Sequence, residues 1–119
     1  MPGSGDDRAI LENPLVAFAL AEAAEIPAGS RSALLMRHGS MTLRWYAPRG
    51  VDEQTPHDQD EIYIVMRGSG RFFLDGERYP FGPGDAIFAP AGAEHRFEDF
   101  SDDFATWVVF WGPDGGEAG

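Results

Sequence analysis

Between residues 32 and 111, short strand-like runs are closed by glycine, proline or aspartate about every eight to twelve residues. This rhythm constrains the chain more than any other feature. The runs are "SALLMRH" (32–38), "SMTLRWYA" (40–47), "EIYIVMRG" (61–68), "GRFFLDG" (70–76), "ERYPF" (77–81), "DAIFAP" (85–90), "EHRFEDF" (94–100) and "FATWVVFWG" (104–112). Most are rich in β-branched and aromatic residues, and short strands punctuated at this spacing predict an all-β sandwich or small barrel. Gly39 and Asp75-Gly76 supply turns, and Gly68-Ser69-Gly70 reads as the turn of a hairpin.

Ahead of the strands, "NPLVAFALAEAAE" predicts a helix over about 14–25. Asn13 would be its N-cap and Pro14 would take the first helical position, with Pro27 and Gly29 stopping it. Residues 1–9 and 112–119 are Gly-rich and polar and are expected to be disordered, which leaves 10–111 as a single domain. The last strand is apolar at nearly every position from Phe104 to Trp111 and so should be covered on both faces. The helix or a second subunit can supply that cover, and a homodimer is expected, by strand exchange or by sheet packing.

Composition narrows the chemistry. The chain of 119 residues has no cysteine, which excludes disulfides, thiolate metal sites and thiol nucleophiles. All nine basic residues are arginine, so Schiff-base chemistry on lysine is excluded. A net charge of −11 with scattered cations argues against nucleic acid. No leader-like or membrane-length apolar segment is present, so a cytoplasmic protein with no membrane partner is expected. The Ala, Gly and Pro bias points to a GC-rich bacterial source.

Three histidines remain to carry chemistry: His38, His57 and His95. His57 lies four residues before Glu61, in "TPHDQDE", and shares strand parity with Thr55, Gln59, Glu61 and Tyr63. His95 follows a Pro-Ala-Gly turn and shares parity with Phe97 and Asp99. Two imidazoles and a carboxylate converging from neighbouring strands would suit Fe(II), Mn, Zn or Ni and leave coordination positions free. His38 reads as a surface or turn residue, and Asp58 and Asp60 as solvated loop acids. Tyr63, Tyr46, Phe97 and Trp107 are the aromatic candidates for a pocket. Arg44, in mid-strand, either faces outward or anchors an anionic substrate.

At these positions the chain resembles the cupin superfamily, over roughly residues 32–111. The later part of its first signature is matched by His57, Glu61 and Gly68, and its second by Gly84, Pro90, Gly92 and His95, with Asp99 where the family has asparagine. The resemblance implies a jelly-roll barrel (double-stranded β-helix) and a metal held by three histidines and a glutamate. The first of those histidines is Thr55 here, a vacated ligand position, so only His57, Glu61 and His95 are carried over as metal ligands. Gln59 is a possible fourth ligand by parity, while Gln54 would need a bulge to turn inward. By the same resemblance Asp99 would hydrogen-bond a strand-end amide. The implied function is a metal-dependent enzyme on a small organic molecule, of oxygenase, decarboxylase or isomerase type. The alternative is a non-catalytic module binding a small molecule or metal, or a metal-free auxiliary protein.

Overall fold

The structure is a computed structural model describing residues 14–27 and 31–118. Eight strands form two antiparallel sheets: β1 (Ala33–His38), β2 (Met41–Tyr46), β3 (Asp60–Arg67), β4 (Gly70–Leu74), β5 (Glu77–Phe81), β6 (Ala86–Ala89), β7 (His95–Glu98) and β8 (Ala105–Trp111). The larger sheet has the order β1-β2-β8-β3-β6 and the smaller β5-β4-β7. Among the described residues the fold is the all-β barrel that the strand rhythm predicts, of the jelly-roll type that the resemblance implies, with one short helix.

The core lies between the sheets and is largely aromatic. Phe97, almost fully buried, sits within ring contact of Tyr46, Tyr63, Phe72, Phe81 and Phe104, at centroid distances of 4.6–6.3 Å. Such pairs bury large apolar area and prefer edge-on or tilted geometry, as most of these do. A second cluster lies on the outer face of the larger sheet. There α1 (Phe18–Ala23) packs over Trp45 and Trp107, with Phe18–Trp45 at 5.6 Å and Trp45–Trp107 at 5.1 Å. An Arg67–Glu22 ion pair ties α1 to the end of β3.

The helix is shorter than the run 14–25 suggested. It starts after Ala17, which is extended and whose side chain cannot cap it, and residues 14–16 lie outside the helix; Asn13 lies outside the described residues, as do 1–9. Packing of Val16 and Ala21 on the tryptophan pair, rather than capping, places this segment. It covers the Ala105–Trp107 end of β8, while Val109 and Trp111 beyond it stay half-buried.

Gly68-Ser69-Gly70 is not a hairpin turn. β3 pairs with β6 and β8, β4 pairs with β5 and β7, and the glycines mark the crossing from one sheet to the other. A Cβ on Gly68 would lie 2.6 Å from the Phe104 backbone, at a φ of 86° that favours glycine. Asp75-Gly76, by contrast, closes a true hairpin, with both residues at positive φ and Leu74 opposite Glu77.

The tail is also placed differently from the disorder expected of 112–119. Its described part, 112–118, folds back over the start of β3: Gly115 N donates to Asp58 O at 2.7 Å and Glu117 N to Asp60 Oδ2 at 2.9 Å. Asp60 is accordingly not a solvated acid. It is buried and also accepts from Ala91 N at 2.9 Å. These two amides, Glu117 first and then Ala91, hold its carboxyl below the usual range. With the native carboxyl depressed, its stabilising contribution is complete above the unfolded value of about 4 and is lost as pH falls through the native one. Asp60→Ala should therefore accelerate amide exchange at Ala91 and Glu117 at neutral pH and leave β3 and β8 protected. In the wild type, protection of the same two amides should persist to about pH 4 and fail only below it; equal protection in the variant would refute the tether.

Candidate metal centre

Each residue of the cluster reaches it from a different element. Glu61, fully buried, stands on β3 with Ala89 of β6 and Phe110 of β8 as its cross-strand neighbours. His95 opens β7 in the opposite sheet, opposite Leu74. His57 precedes β3 in an irregular segment, 50–59, and its carbonyl accepts from Gly92 N at 2.8 Å. That bond couples the His57 loop to the 90–93 turn, and Asp60 grips the same turn at Ala91. The turn then aims His95, because Ala93 O accepts from His95 Nδ1 at 2.9 Å.

The ligating atoms of His57, Glu61 and His95 lie within 4.8 Å of one another. His57 Nδ1 is 2.5 Å from Glu61 Oε2, and His95 Nε2 is 3.2 Å from the same oxygen. A carbonyl only accepts, so the bond to Ala93 places the proton of neutral His95 on Nδ1 and a bare lone pair on Nε2, facing the carboxylate. The 3.2 Å approach is not aligned as a hydrogen bond, and both His95 Nε2 and Glu61 Oε1 are buried without a partner. Orphaned polar atoms of this kind are costly in a protein interior and rare in native structures.

Charge shows the same tension. Burial works against ionised Glu61, but the two imidazoles outweigh it and hold the carboxyl below its usual range. Burial alone would lower His95; contact with Glu61 prevails and raises it. A cation among these three groups would satisfy both orphaned atoms at once. The donor set, two imidazole nitrogens and one carboxylate, fits a divalent transition metal. Beside the cluster is a cavity of about 30 Å³, lined by Tyr46, Gln54, His57, Glu61, Tyr63, Val108 and Phe110, large enough for a water-sized ligand.

A cupin-domain family model matches residues 43–111. The chain belongs to the cupin family. An uncharacterized Streptomyces coelicolor protein, SCO3923, is 33% identical over 81 residues, covering 66% of this chain and 77% of its own length. The HTH-type transcriptional activator RhaS of Mannheimia succiniciproducens is 36% identical over 56 residues, 47% of this chain, and only 21% of that activator's length is matched. Among solved structures, a cupin 2 conserved barrel protein from Salinispora arenicola superposes with a TM-score of 0.64 at 27% identity, covering 84% of this chain and 91% of its own. KdgF from Halomonas sp. superposes at 0.61 with 21% identity, covering 74% and 83%, a likeness of fold.

In this cupin, Tyr63 and Tyr46 line the small cavity, and burial raises both phenols. Phe97 instead fills the closed core, and Trp107 points to the outer face under α1, since β8 alternates and Val108 takes the inward position. Gln59 is turned away: its Nε2 donates to Ser40 O and Gly112 O. Gln54 lines the cavity and accepts from Tyr63 OH at 3.2 Å. Strand parity fails here because 50–59 is not a strand, so counting back from Glu61 selects the wrong glutamine. Thr55 is exposed and does not line the cavity. Among the described residues Asp99 has no strand-end amide partner; its side chain is exposed 3.9 Å from Arg71, and its φ of 51° is one that Asn and Asp adopt more readily than most residues. His38 is exposed at the end of β1.

Asp52 went unnoticed in the sequence. Buried in the same segment, it accepts from Tyr46 OH, from Gln54 Nε2 at 2.6 Å and from Phe97 N at 2.8 Å. An acid in "GVDEQT" carries no local mark of burial. Because Gln54 and not Thr55 faces the cluster, Gln54→His should tighten Zn(II) or Mn(II) binding in calorimetric titrations, whereas Thr55→His should leave it unchanged. The reverse ranking would contradict this placement.

Proposed function

We propose that this cupin binds a divalent transition metal (Fe, Mn, Zn or Ni) through His57, Glu61 and His95 and acts as a metal-dependent enzyme on a small organic molecule. The reaction would be of oxygenase, decarboxylase or isomerase type. The observation that carries the proposal is the pair of buried atoms, His95 Nε2 and Glu61 Oε1, left without partners, with Nε2 3.2 Å from Glu61 Oε2. A metal bound there supplies a Lewis acid with open positions. The chain's own residues define what surrounds it. Ala93 O sets the His95 tautomer, as partners behind ligating histidines commonly do, and Tyr63 OH and Gln54 present polar groups to the small cavity. Phe110 stands edge-on to His57 at 5.0 Å.

A second reading, a non-catalytic binder of a small molecule or metal, is favoured by the similarity to a segment of RhaS, named as a transcriptional activator. Metal content separates the metal reading from a metal-free one. Protein purified without chelator should carry about one metal per chain, and 100-fold excess of the right metal over its Kd should stabilise by about 2.7 kcal/mol. His95→Ala should fold, by circular dichroism, and lose that shift. A wild type that none of the four metals stabilises would overturn the proposal. Turnover across keto-acid and O₂ panels then divides enzyme from binder.

The reading includes a cytoplasmic homodimer with no nucleic-acid or membrane partner. Among the described residues no helix is long and apolar enough to cross a membrane. The half-buried Ile62 and Val109, paired on the outer face beyond α1, are the place for a second copy. Light scattering should give twice the chain mass for wild type and a monomer for Val109→Asp; a monomeric wild type would refute the dimer.

A further inference from the structure

A larger cleft opens beside the cluster, about 470 Å³ in volume, within the range of small-molecule sites. Its lining includes Arg37, Arg44, His57, Asp58, Phe110 and Asp114. His57 and Phe110 also line the small cavity, so the two spaces meet at the cluster. Strand register explains how arginines come to face it. Arg44 pairs with Val108, which pairs with Tyr63, and Thr42 pairs with Phe110, which pairs with Glu61. Arg44 and Thr42 therefore stand on the face of the sheet that carries Glu61 and Tyr63. Arg37, opposite Thr42 on β1, falls beside them.

Two of the chain's nine arginines thus share one half-buried cleft in a protein of net charge −11. Burial first, and the charge of Arg37 second, disfavour the Arg44 cation. Among the described residues Arg44 makes one hydrogen bond, a long one of 3.4 Å from Nη1 to Ser32 Oγ, and no ion pair with an acid. An anion in the cleft would give the half-buried Arg44 guanidinium charge-assisted hydrogen bonds in place of its one long bond to Ser32. Asp58 and Asp114, on the same cleft, oppose further negative charge and accept from hydroxyl donors.

We infer that the cleft binds the carboxylate of a small hydroxy acid at Arg44, with Arg37 beside it, while hydroxyl groups of the same molecule reach Asp58, Asp114 and the His57–Glu61–His95 cluster. The inference rests on the proposed metal only for its second anchor; the carboxylate contact stands on Arg44 alone. The acidic pair sets the selectivity: one carboxylate with a neutral, hydroxylated remainder is accepted, and a second anionic group is refused.

The probes are D-gluconate, sorbitol, which has CH₂OH in place of the carboxylate, and 6-phosphogluconate. Each is titrated calorimetrically into metal-free and Mn(II)-loaded wild type, Arg44→Met and Arg44→Lys, with Mn(II) affinity and melting temperature measured for each protein. Gluconate should bind wild type in preference to both sorbitol and 6-phosphogluconate. Arg44→Met should weaken gluconate by roughly 10- to 100-fold, the range of a charge-assisted hydrogen bond, with Mn(II) affinity unchanged. Arg44→Lys should recover part of that loss. Gluconate bound no better than sorbitol, or equally by folded wild type and Arg44→Met, overturns the inference, and a preference for 6-phosphogluconate overturns the role of Asp58 and Asp114. If wild type takes up none of Fe, Mn, Zn or Ni yet gluconate still depends on Arg44, the metal reading fails and the carboxylate subsite stands.

Discussion

The buried Glu61 carboxylate, facing two imidazoles from different parts of the fold, is the interaction around which the rest is organised. Removing a carboxylate from water is expensive, and it persists in an interior only when paired or metal-bound. Here the pairing is incomplete: one oxygen serves His57 and lies near His95, and the other has no partner. An apolar residue at this position would pack without that penalty. The three groups are a cluster that could hold a cation, in a position set by the structure around it.

That structure is a chain of backbone contacts. Asp60, next to Glu61, grips the amides of Ala91 and Glu117, so the turn before β7 and the C-terminal tail are both anchored at the start of β3. The passage is narrow enough that a Cβ on Gly116 would meet Asp60 Oδ1 at 2.8 Å. Gly92 ties the turn to the His57 carbonyl, and Ala93 orients His95. Beneath them Asp52 fastens the irregular 50–59 segment to Tyr46 and to the β7 backbone. Local irregularity around the site is thus compensated by carboxylates bonded to main-chain amides, which a regular ladder would otherwise satisfy.

Much of the fold was legible because it follows from period and punctuation. Strand runs, the Asp75-Gly76 hairpin and the inward placement of Tyr63 all depend on alternation within a strand, a local property. The spacing that brings His57, Glu61 and His95 together was legible through two motifs read jointly. What could not be read depended on contacts distant in sequence. The Gly68–Gly70 crossing looks like a hairpin until β4 is seen to pair with β7. The tail looks disordered until Asp60 is seen beneath it. Gln54 and Gln59 exchange places because parity has no meaning in a segment that is not a strand, and the side of the sheet on which Arg44 stands follows from its register with Val108.

The central claim is that His95 presents a bare Nε2 to a cation, with its proton held on Nδ1 by Ala93. Nitrogen-15 NMR of the histidine side chains, with and without one equivalent of Zn(II), tests it most directly. The account predicts that His95 in the loaded protein keeps its proton on Nδ1 while Nε2 takes the shift of a metal-bound nitrogen, that His57 shifts with it, and that exposed His38 does not move. A His95 Nε2 that stays protonated and unshifted in excess metal would contradict it.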